Sequence, residues 1–276
     1  MITIVEYEAI KNSLDRFKYH SLAYTDYEEI KEYNILYNND RVILIHGYSV
    51  EDQFYKYHWA CNEVDILVNL EKIKDTKGLI GFVPKEWVEN LKEIGFKMYA
   101  VWNEYFVGSI KEQLERLEDN FKEDLLIEVM QEDECESVSQ VTLACKGQSR
   151  GFSGQSAGWI ANWMEGKEPA LPEYARNSKI FVKKIEDKIV GMICVATYGH
   201  ESEKGAILWI REVAVHPMYQ GRGIARELIK KAYNYGIMVG AKRAFLMADE
   251  CNEGAIHLYQ SMGFVSNEAE INMIKE

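Results

Sequence analysis

Leu208-Trp209-Ile210-Arg211-Glu212-Val213-Ala214-Val215-His216-Pro217-Met218-Tyr219-Gln220-Gly221-Arg222-Gly223-Ile224-Ala225 is the stretch whose reading decides the fold. Ala206 to Val215 is an apolar run of strand length, the signature of a buried strand. His216-Pro217 marks a turn, because proline fixes φ and cannot continue a ladder. Gly221 and Gly223 follow at the mouth of a helical pattern running from Ile224 to about Val239. Glycines at a strand-to-helix junction let backbone N–H groups face outward, uncrowded by Cβ atoms, at the positive end of the helix dipole. Such a junction suits a phosphate or pyrophosphate. A P-loop nucleotide enzyme is excluded, since no Lys-Ser/Thr follows the glycines.

Residues Gln220 to Ala225 also fit the pattern Q/R-x-x-G-x-G/A, and the chain thereby resembles the GNAT superfamily of N-acetyltransferases, whose coenzyme A signature this is. Asn252-Glu253-Gly254-Ala255-Ile256-His257-Leu258-Tyr259-Gln260-Ser261-Met262-Gly263-Phe264 resembles the second signature of that family, in the same order and at the usual separation.

Around these motifs the C-terminal half orders itself. Leu125 to Gln131 reads as a strand, Cys135 to Lys146 as a helix, and Gly154 to Glu165 as a second helix stopped by Gly166 and Pro169. Ile180 to Ile185 and Ile189 to Tyr198 flank Glu186-Asp187-Lys188 as a hairpin. After the Gly loop and its helix come a short strand at Ala244 to Ala248, the Asn252 helix and a last strand from Phe264 onward. This succession resembles GNAT and implies an α/β (α+β) fold, a mixed central sheet flanked by helices.

The N-terminal half is less explicit. Val42 to His46 and Phe54 to Ala60 read as strands, Asp65 to Ile73 as helical, Leu79 to Val83 as a strand and Lys85 to Ile94 as a helix. Gly95-Phe96 then leads into Lys97 to Phe106. That ending echoes Ala244 to Ile274, yet no Gly-rich loop precedes it. The expectation is a degenerate GNAT-like half without a coenzyme site, an unrelated α/β accessory domain being the alternative. The expected division is residues 1–108, a connecting helix at 109–124 carrying Ile110, Leu114, Leu117 and Phe121 at helical spacing, and a catalytic domain at 125–276. The first half is expected to pack on the second.

The chain has 276 residues, 47% hydrophobic and 28% charged, which describes a globular protein able to bury a sizeable core. A net charge of -12 argues against a general nucleic-acid or anionic-membrane binder. The start, Met-Ile-Thr-Ile-Val-Glu-Tyr-Glu, does not read as a signal peptide, and no apolar run reaches the length of a membrane span. Cys61, Cys135, Cys145, Cys194 and Cys251 are scattered and odd in number, which fits reduced thiols in a cytoplasm rather than a zinc site. No metal is expected.

The resemblance implies a reaction, attack by the amine of a small molecule on the thioester of acetyl-CoA. The amine must first lose a proton, because an alkylammonium with a pKa of about 10.4 has no lone pair. Val213 and Val215 would pair with the pantetheine arm as with an added strand. Gln220, Gly221, Arg222, Gly223, Ile224 and Ala225 would cradle the pyrophosphate. A backbone N–H near a bulge, that of Val213 or Ala214, would face the oxyanion. Tyr259 would protonate the leaving thiolate, and Asn252 would contact the pantetheine while capping its helix. The acceptor would meet Phe152, Trp159, Trp163, Tyr198, His200 and Trp209, with core packing as the plainer reading of Trp159 and Trp163, four residues apart.

The base is read from the residues. Arg211 and Glu212 are charges inside an apolar strand, costly unless paired or facing a cleft. Neighbours in a strand face opposite sides, so the two are not expected to pair. Glu212 is the candidate base, a structural ion pair being the alternative. Asp249 and Glu250 come second, with a solvated turn as the plainer reading. His216 and His257 read as surface groups. A non-catalytic acyl-CoA sensor is the competing function. Acceptor identity, acyl chain length and oligomeric state are not encoded legibly.

Overall fold

A computed structural model describes residues 1–276 apart from 51, 52, 119–126, 151, 169, 170 and 173, and the backbone alone of Glu268. The chain forms two compact units, Met1–Trp102 with Ala269–Glu276, and Asn103–Glu268.

In the first unit, α1 (Ile4–Asn12) is started by a capping box. The Thr3 hydroxyl accepts from the Glu6 N–H, and the Glu6 carboxylate accepts from the Thr3 N–H. Then come β1 (Tyr19–His20), α2 (Tyr27–Ile30), β2 (Asn34–Asn38), β3 (Val42–Ser49) and β4 (Phe54–Cys61). They are followed by α3 (Val64–Val68), α4 (Glu71–Asp75), β5 (Gly78–Ile80), α5 (Val88–Glu93) and β6 (Lys97–Val107), whose last residues pass into the second unit. The expected helix at Asp65 to Ile73 is two short helices broken at Leu70, which takes an extended conformation. Strands β2, β3 and β4 are antiparallel, whereas β4 and β5 are parallel. One core of this unit holds Trp59, Leu67, Trp87 and Leu91 between sheet and helices. Another gathers Ile10, Phe17, Leu22 and Ile30 over Ile43 and Ile45.

The second unit continues with α6 (Ile110–Glu118), β7 (Ile127–Val129), α7 (Cys135–Ala144), α8 (Ala157–Glu165), β8 (Arg176–Ile185), β9 (Lys188–Tyr198) and β10 (Ala206–Val215). It ends with α9 (Ile224–Met238), β11 (Ala241–Asp249), α10 (Glu253–Ser261) and β12 (Val265–Lys275). Of the residues expected in these elements, Phe121, Leu125, Leu126 and Pro169 lie outside the described ones. β7 to β10 form an antiparallel run, and β10 and β11 are parallel. The β8–β9 hairpin turns through Glu186 and Asp187, both with positive φ, the twist that suits a two-residue connection. One face of this sheet packs on α6 and α9 through Leu208, Ile210, Leu228 and Ala232. The other packs on α7 and α8 through Val138, Ile160, Trp163 and Cys194.

The last eight residues of the chain belong to the first unit, where Met273 and Ile274 pair antiparallel with Ile80 and Leu79. No helix among the described residues is long and apolar enough to cross a membrane.

Candidate active site

Two local features of β10 build the site. The first is where its parallel partner stops. Register with β11 runs from Ala206↔Ala241 to Trp209↔Phe245 and, among the described residues, goes no further. On its other side β10 stays paired with β9 as far as Val215↔Gly191. Past Trp209, therefore, β10 has one edge without a strand, the arrangement an added strand-like ligand needs. Val213, Ala214 and Val215 lie in that segment.

The second feature is a bulge. The β9 register shifts between Ile210 and Glu212, leaving Arg211 as the extra residue. Before it, Leu208 and Ile210 face the α9 core; after it, Val213 packs against that core and Val215 is part of it. Glu212 is thereby turned toward the α7–α8 face, shared with Ala214 and Trp209. The bulge also corrects the expectation that Arg211 and Glu212 do not pair. Two residues opposing one need not alternate, and Arg211 Nη1 stands 3.9 Å from Glu212 Oε2.

Glu212 is nearly enclosed, with a side-chain exposure of 10%. Gln155 Nε2 donates to its Oε2 at 3.4 Å. Burial raises the carboxyl, Arg211 and Gln155 pull it back, and the balance leaves it pushed up to about 7. Gln155 was not foreseen. Its carbonyl accepts from Ser139 Oγ at 2.7 Å, and its N–H donates to Thr142 Oγ1 at 2.8 Å, so α7 holds it in place. Ser139 and Thr142, two buried hydroxyl residues in one helix, were the legible signal.

Tyr259 lies on α10 with its ring 6.3 Å from Tyr105 and 6.0 Å from Phe264. Burial raises its hydroxyl pKa, and the charge of Glu212 raises it further. The fold thus brings Glu212 and Tyr259 within electrostatic reach of each other, although they sit on different elements. At neutral pH the phenol holds its proton.

The glycine loop follows β10 through a single 3₁₀ turn at Pro217–Tyr219. Gly221 and Gly223 have φ of +75° and +83°, a region that L side chains seldom adopt, and a Cβ on either would point into open space. Among the described residues, the N–H groups of Gly221 to Ala225 have no hydrogen-bond acceptor in the protein. Gln220 is turned inward, donating to Val215 O at 2.9 Å and to Gln148 Oε1 at 3.2 Å. The Arg222 guanidinium lies over the Tyr219 ring, 5.0 Å from its centre, and donates to Met218 O.

At the other lip, Asn252 caps α10, its Oδ1 accepting from the Ala255 N–H at 3.2 Å. Its Nδ2 donates to Ser149 Oγ at 3.0 Å. Asp249 is fully buried, which corrects the reading of a solvated turn. Burial would raise its carboxyl, but the Arg150 guanidinium, the Cys251 thiol and both backbone N–H groups hold it far below the usual carboxylate range. Charge-paired in this way, Asp249 is unsuited to act as a base near neutral pH. Glu250 is 3.4 Å from Arg150 and half exposed.

The expected acceptor residues divide. Trp159 stacks on the buried Trp163 at 5.1 Å, and Trp163 meets Trp209 edge-on at 5.7 Å. Trp163 is core, with its indole N–H donated to Val195 O. Trp159, Trp209 and Phe152 are partly buried on the Glu212 face. Tyr198 is raised to about 12 by burial, and its ring meets Tyr174. His200 Nε2 is engaged with Thr197 Oγ1 at 2.9 Å. His216 Nδ1 caps the 3₁₀ turn by accepting from the Met218 N–H, and His257 is exposed.

Residues 150–264 match the family model described as acetyltransferase (GNAT) family. An uncharacterized N-acetyltransferase of Methanocaldococcus jannaschii is 30% identical over 113 residues, 41% of this chain and 46% of that protein. Spermidine N(1)-acetyltransferase of Escherichia coli K12 is 29% identical over 90 residues, 32% of this chain and 46% of that protein. The matched segments thus span about half the length of these curated relatives. Over both units, a GCN5-related N-acetyltransferase from Sphaerobacter thermophilus shares the fold at TM-score 0.55 and 13% identity, covering 85% of this chain and 76% of its own. One from Kribbella flavida does so at TM-score 0.53 and 11% identity, covering 90% and 91%. The chain carries a GNAT-family acetyltransferase domain at residues 150–264.

Proposed function

We propose that the second unit transfers an acetyl group from acetyl-CoA to the amine of a small molecule, by direct attack within a ternary complex. The observation that carries this reading is the bulge at Arg211. It sets a buried carboxyl with a pKa of about 7 on the α7–α8 face, in electrostatic contact with a protonated Tyr259. A base poised near the working pH and a phenol that keeps its proton are the two groups the reaction asks for. Gly221 to Ala225 present unpartnered N–H groups to the pyrophosphate, and the free edge of β10 from Val213 to Val215 takes the pantetheine arm. In this reading Glu212 accepts the amine proton and Tyr259 gives one to the departing sulfur. Asn252 meets the arm from the α10 side. Trp159, Trp209 and Phe152 flank the acceptor, favouring an amine carried on an apolar or aromatic body, with Tyr198 and His200 at its rim.

The test is thiol release across a panel of such amines, followed against pH. Glu212 is protonated below about pH 7 and becomes a base above it, so kcat/KM should rise through that pH to a plateau. Glu212→Gln should remove the rising limb. The sign for stability is opposite. A carboxyl raised in the fold binds its proton better folded than unfolded, so stability falls as pH climbs from about 4.3 to about 7. At pH 8 Glu212→Gln should therefore be more stable than the wild type, by on the order of 3 kcal/mol. Coenzyme binding without thiol release for any amine would instead indicate an acyl-CoA sensor. A pH profile unchanged by Glu212→Gln would remove Glu212 as base.

A further inference from the structure

Three consecutive residues of the loop between α7 and α8 reach three different parts of the site. Gln148 Oε1 accepts from Gln220 Nε2 at 3.2 Å, on the glycine loop that follows β10. Ser149 Oγ accepts from Asn252 Nδ2 at 3.0 Å, at the start of α10. Arg150 binds Asp249 at the end of β11, donating from its backbone N–H at 2.7 Å and from Nε at 3.0 and 3.1 Å, with Nη2 on the second oxygen. Beyond Trp209 and Phe245 the two strands no longer pair among the described residues, so no ladder joins their ends to each other. One loop therefore ties the segment after β10 to the segment after β11, across the place where the sheet opens.

The anchoring is chemically deliberate. Asp249 is fully buried, and its carboxylate also accepts from the Cys251 N–H at 3.2 Å and from Cys251 Sγ at 2.9 Å. A buried carboxylate is costly unless it is saturated with donors, and the two-point guanidinium grip resists rotation as well as separation. Asn252 is fixed as a consequence. Its carboxamide oxygen serves the helix N–H and its nitrogen serves Ser149, which sets the face of the amide turned toward the opening.

We propose that Gln148, Ser149 and Arg150 form a clasp, with Arg150 and Asp249 as positioning residues that hold the two sides of the opening at the spacing the coenzyme arm requires. This rests on the acetyl-CoA reading above. None of the three touches the reacting atoms. The clasp acts through Gln220 and Asn252, and its loss should show in the coenzyme rather than in the acceptor.

Arg150→Gln and Arg150→Lys test it, assayed well below their unfolding temperatures. Arg150→Gln should raise the KM and the calorimetric Kd for acetyl-CoA at least tenfold, while the acceptor KM and kcat at saturating coenzyme stay within about threefold of wild type. Arg150→Lys, which keeps the charge and one hydrogen bond, should recover most of the coenzyme affinity. Parallel rises in both KM values, or an Arg150→Gln protein that binds acetyl-CoA as tightly as the wild type, would overturn the clasp alone. Wild-type protein that does not bind acetyl-CoA would overturn the functional reading and the clasp with it.

Discussion

The two units solve the same problem differently where an antiparallel run meets its parallel partner. In the first unit β4 pairs with β5, among the described residues, only at Lys56↔Leu79 and Tyr57↔Ile80. Beyond that the Trp59 indole fills the space, donating Nε1–H to Gly81 O at 2.8 Å and packing on Trp87 at 5.3 Å. The chain then enters α3 through Asn62 and Glu63, with Glu63 as a cap that makes no side-chain hydrogen bond. In the second unit the same divergence follows Trp209↔Phe245. The chain leaves β10 through a 3₁₀ turn and two left-handed glycines, and then enters a helix of 15 residues. One opening is packed shut with an aromatic ring, and its helix start carries a carboxylate that would repel a phosphate. The other keeps its edge and its N–H groups available. The same divergence of strands therefore does not imply the same site, and the few residues at the strand-to-helix junction decide which unit suits the proposed coenzyme.

The strongest way to break this comparison is to reopen the first unit. Trp59→Ala removes a fully buried ring, and the first unit should lose about 3–5 kcal/mol of stability, seen as a lowered first transition in calorimetry. Acetyl-CoA should still titrate to one site per chain, because the glycine junction is missing. Two sites in the variant would mean that the ring alone separates the units. Next, Tyr259→Phe keeps the ring packing and removes one proton donor in the second unit. Turnover should fall on the order of 10²-fold, about 2.7 kcal/mol, with coenzyme affinity nearly unchanged. An equal kcat would leave Tyr259 as packing. The smallest effect is expected at the glycine loop itself. Gly223→Val forces a β-branched residue to a φ of +83° and sets a side chain where the pyrophosphate would lie. Binding of acetyl-CoA should weaken by more than tenfold, about 1.4 kcal/mol. Unchanged affinity would remove the phosphate reading and with it the difference between the two junctions.

Much of the second unit was legible because its signals are local. The strand bounds Ala206 to Val215, the Pro-marked turn, the helix start at Ile224 and the cap at Asn252 are all set by neighbours in sequence. What escaped is set by distant partners. Asp249 resembles any acidic turn residue until Arg150, 99 residues earlier, is folded onto it. The Arg211 bulge left a trace, two adjacent charges in an apolar strand, but strict alternation assigned them to opposite faces. Along residues 1–41 the apolar periodicity is weak, and the one local sign of α1 is the capping box that Thr3 and Glu6 spell out. Continuity of pattern alone suggests a division at 108. Nothing local in β12 tells that Ile271 and Met273 complete the core of the first unit.

That last placement has a consequence for the order of folding during synthesis. A ribosome releases residues 1–102 long before residues 269–276, yet β5 takes Met273 and Ile274 as pairing partners. The unit made first is thus the one that must wait, its strand edge and part of its core exposed until residues 269–276 emerge. Domains that mature from the N-terminus onward escape this exposure, whereas here the interval is set by the time needed to translate the whole second unit. A product cut before residue 269 would carry the glycine junction together with a first unit that lacks these pairing partners, and that exposed edge is what a chaperone would bind first.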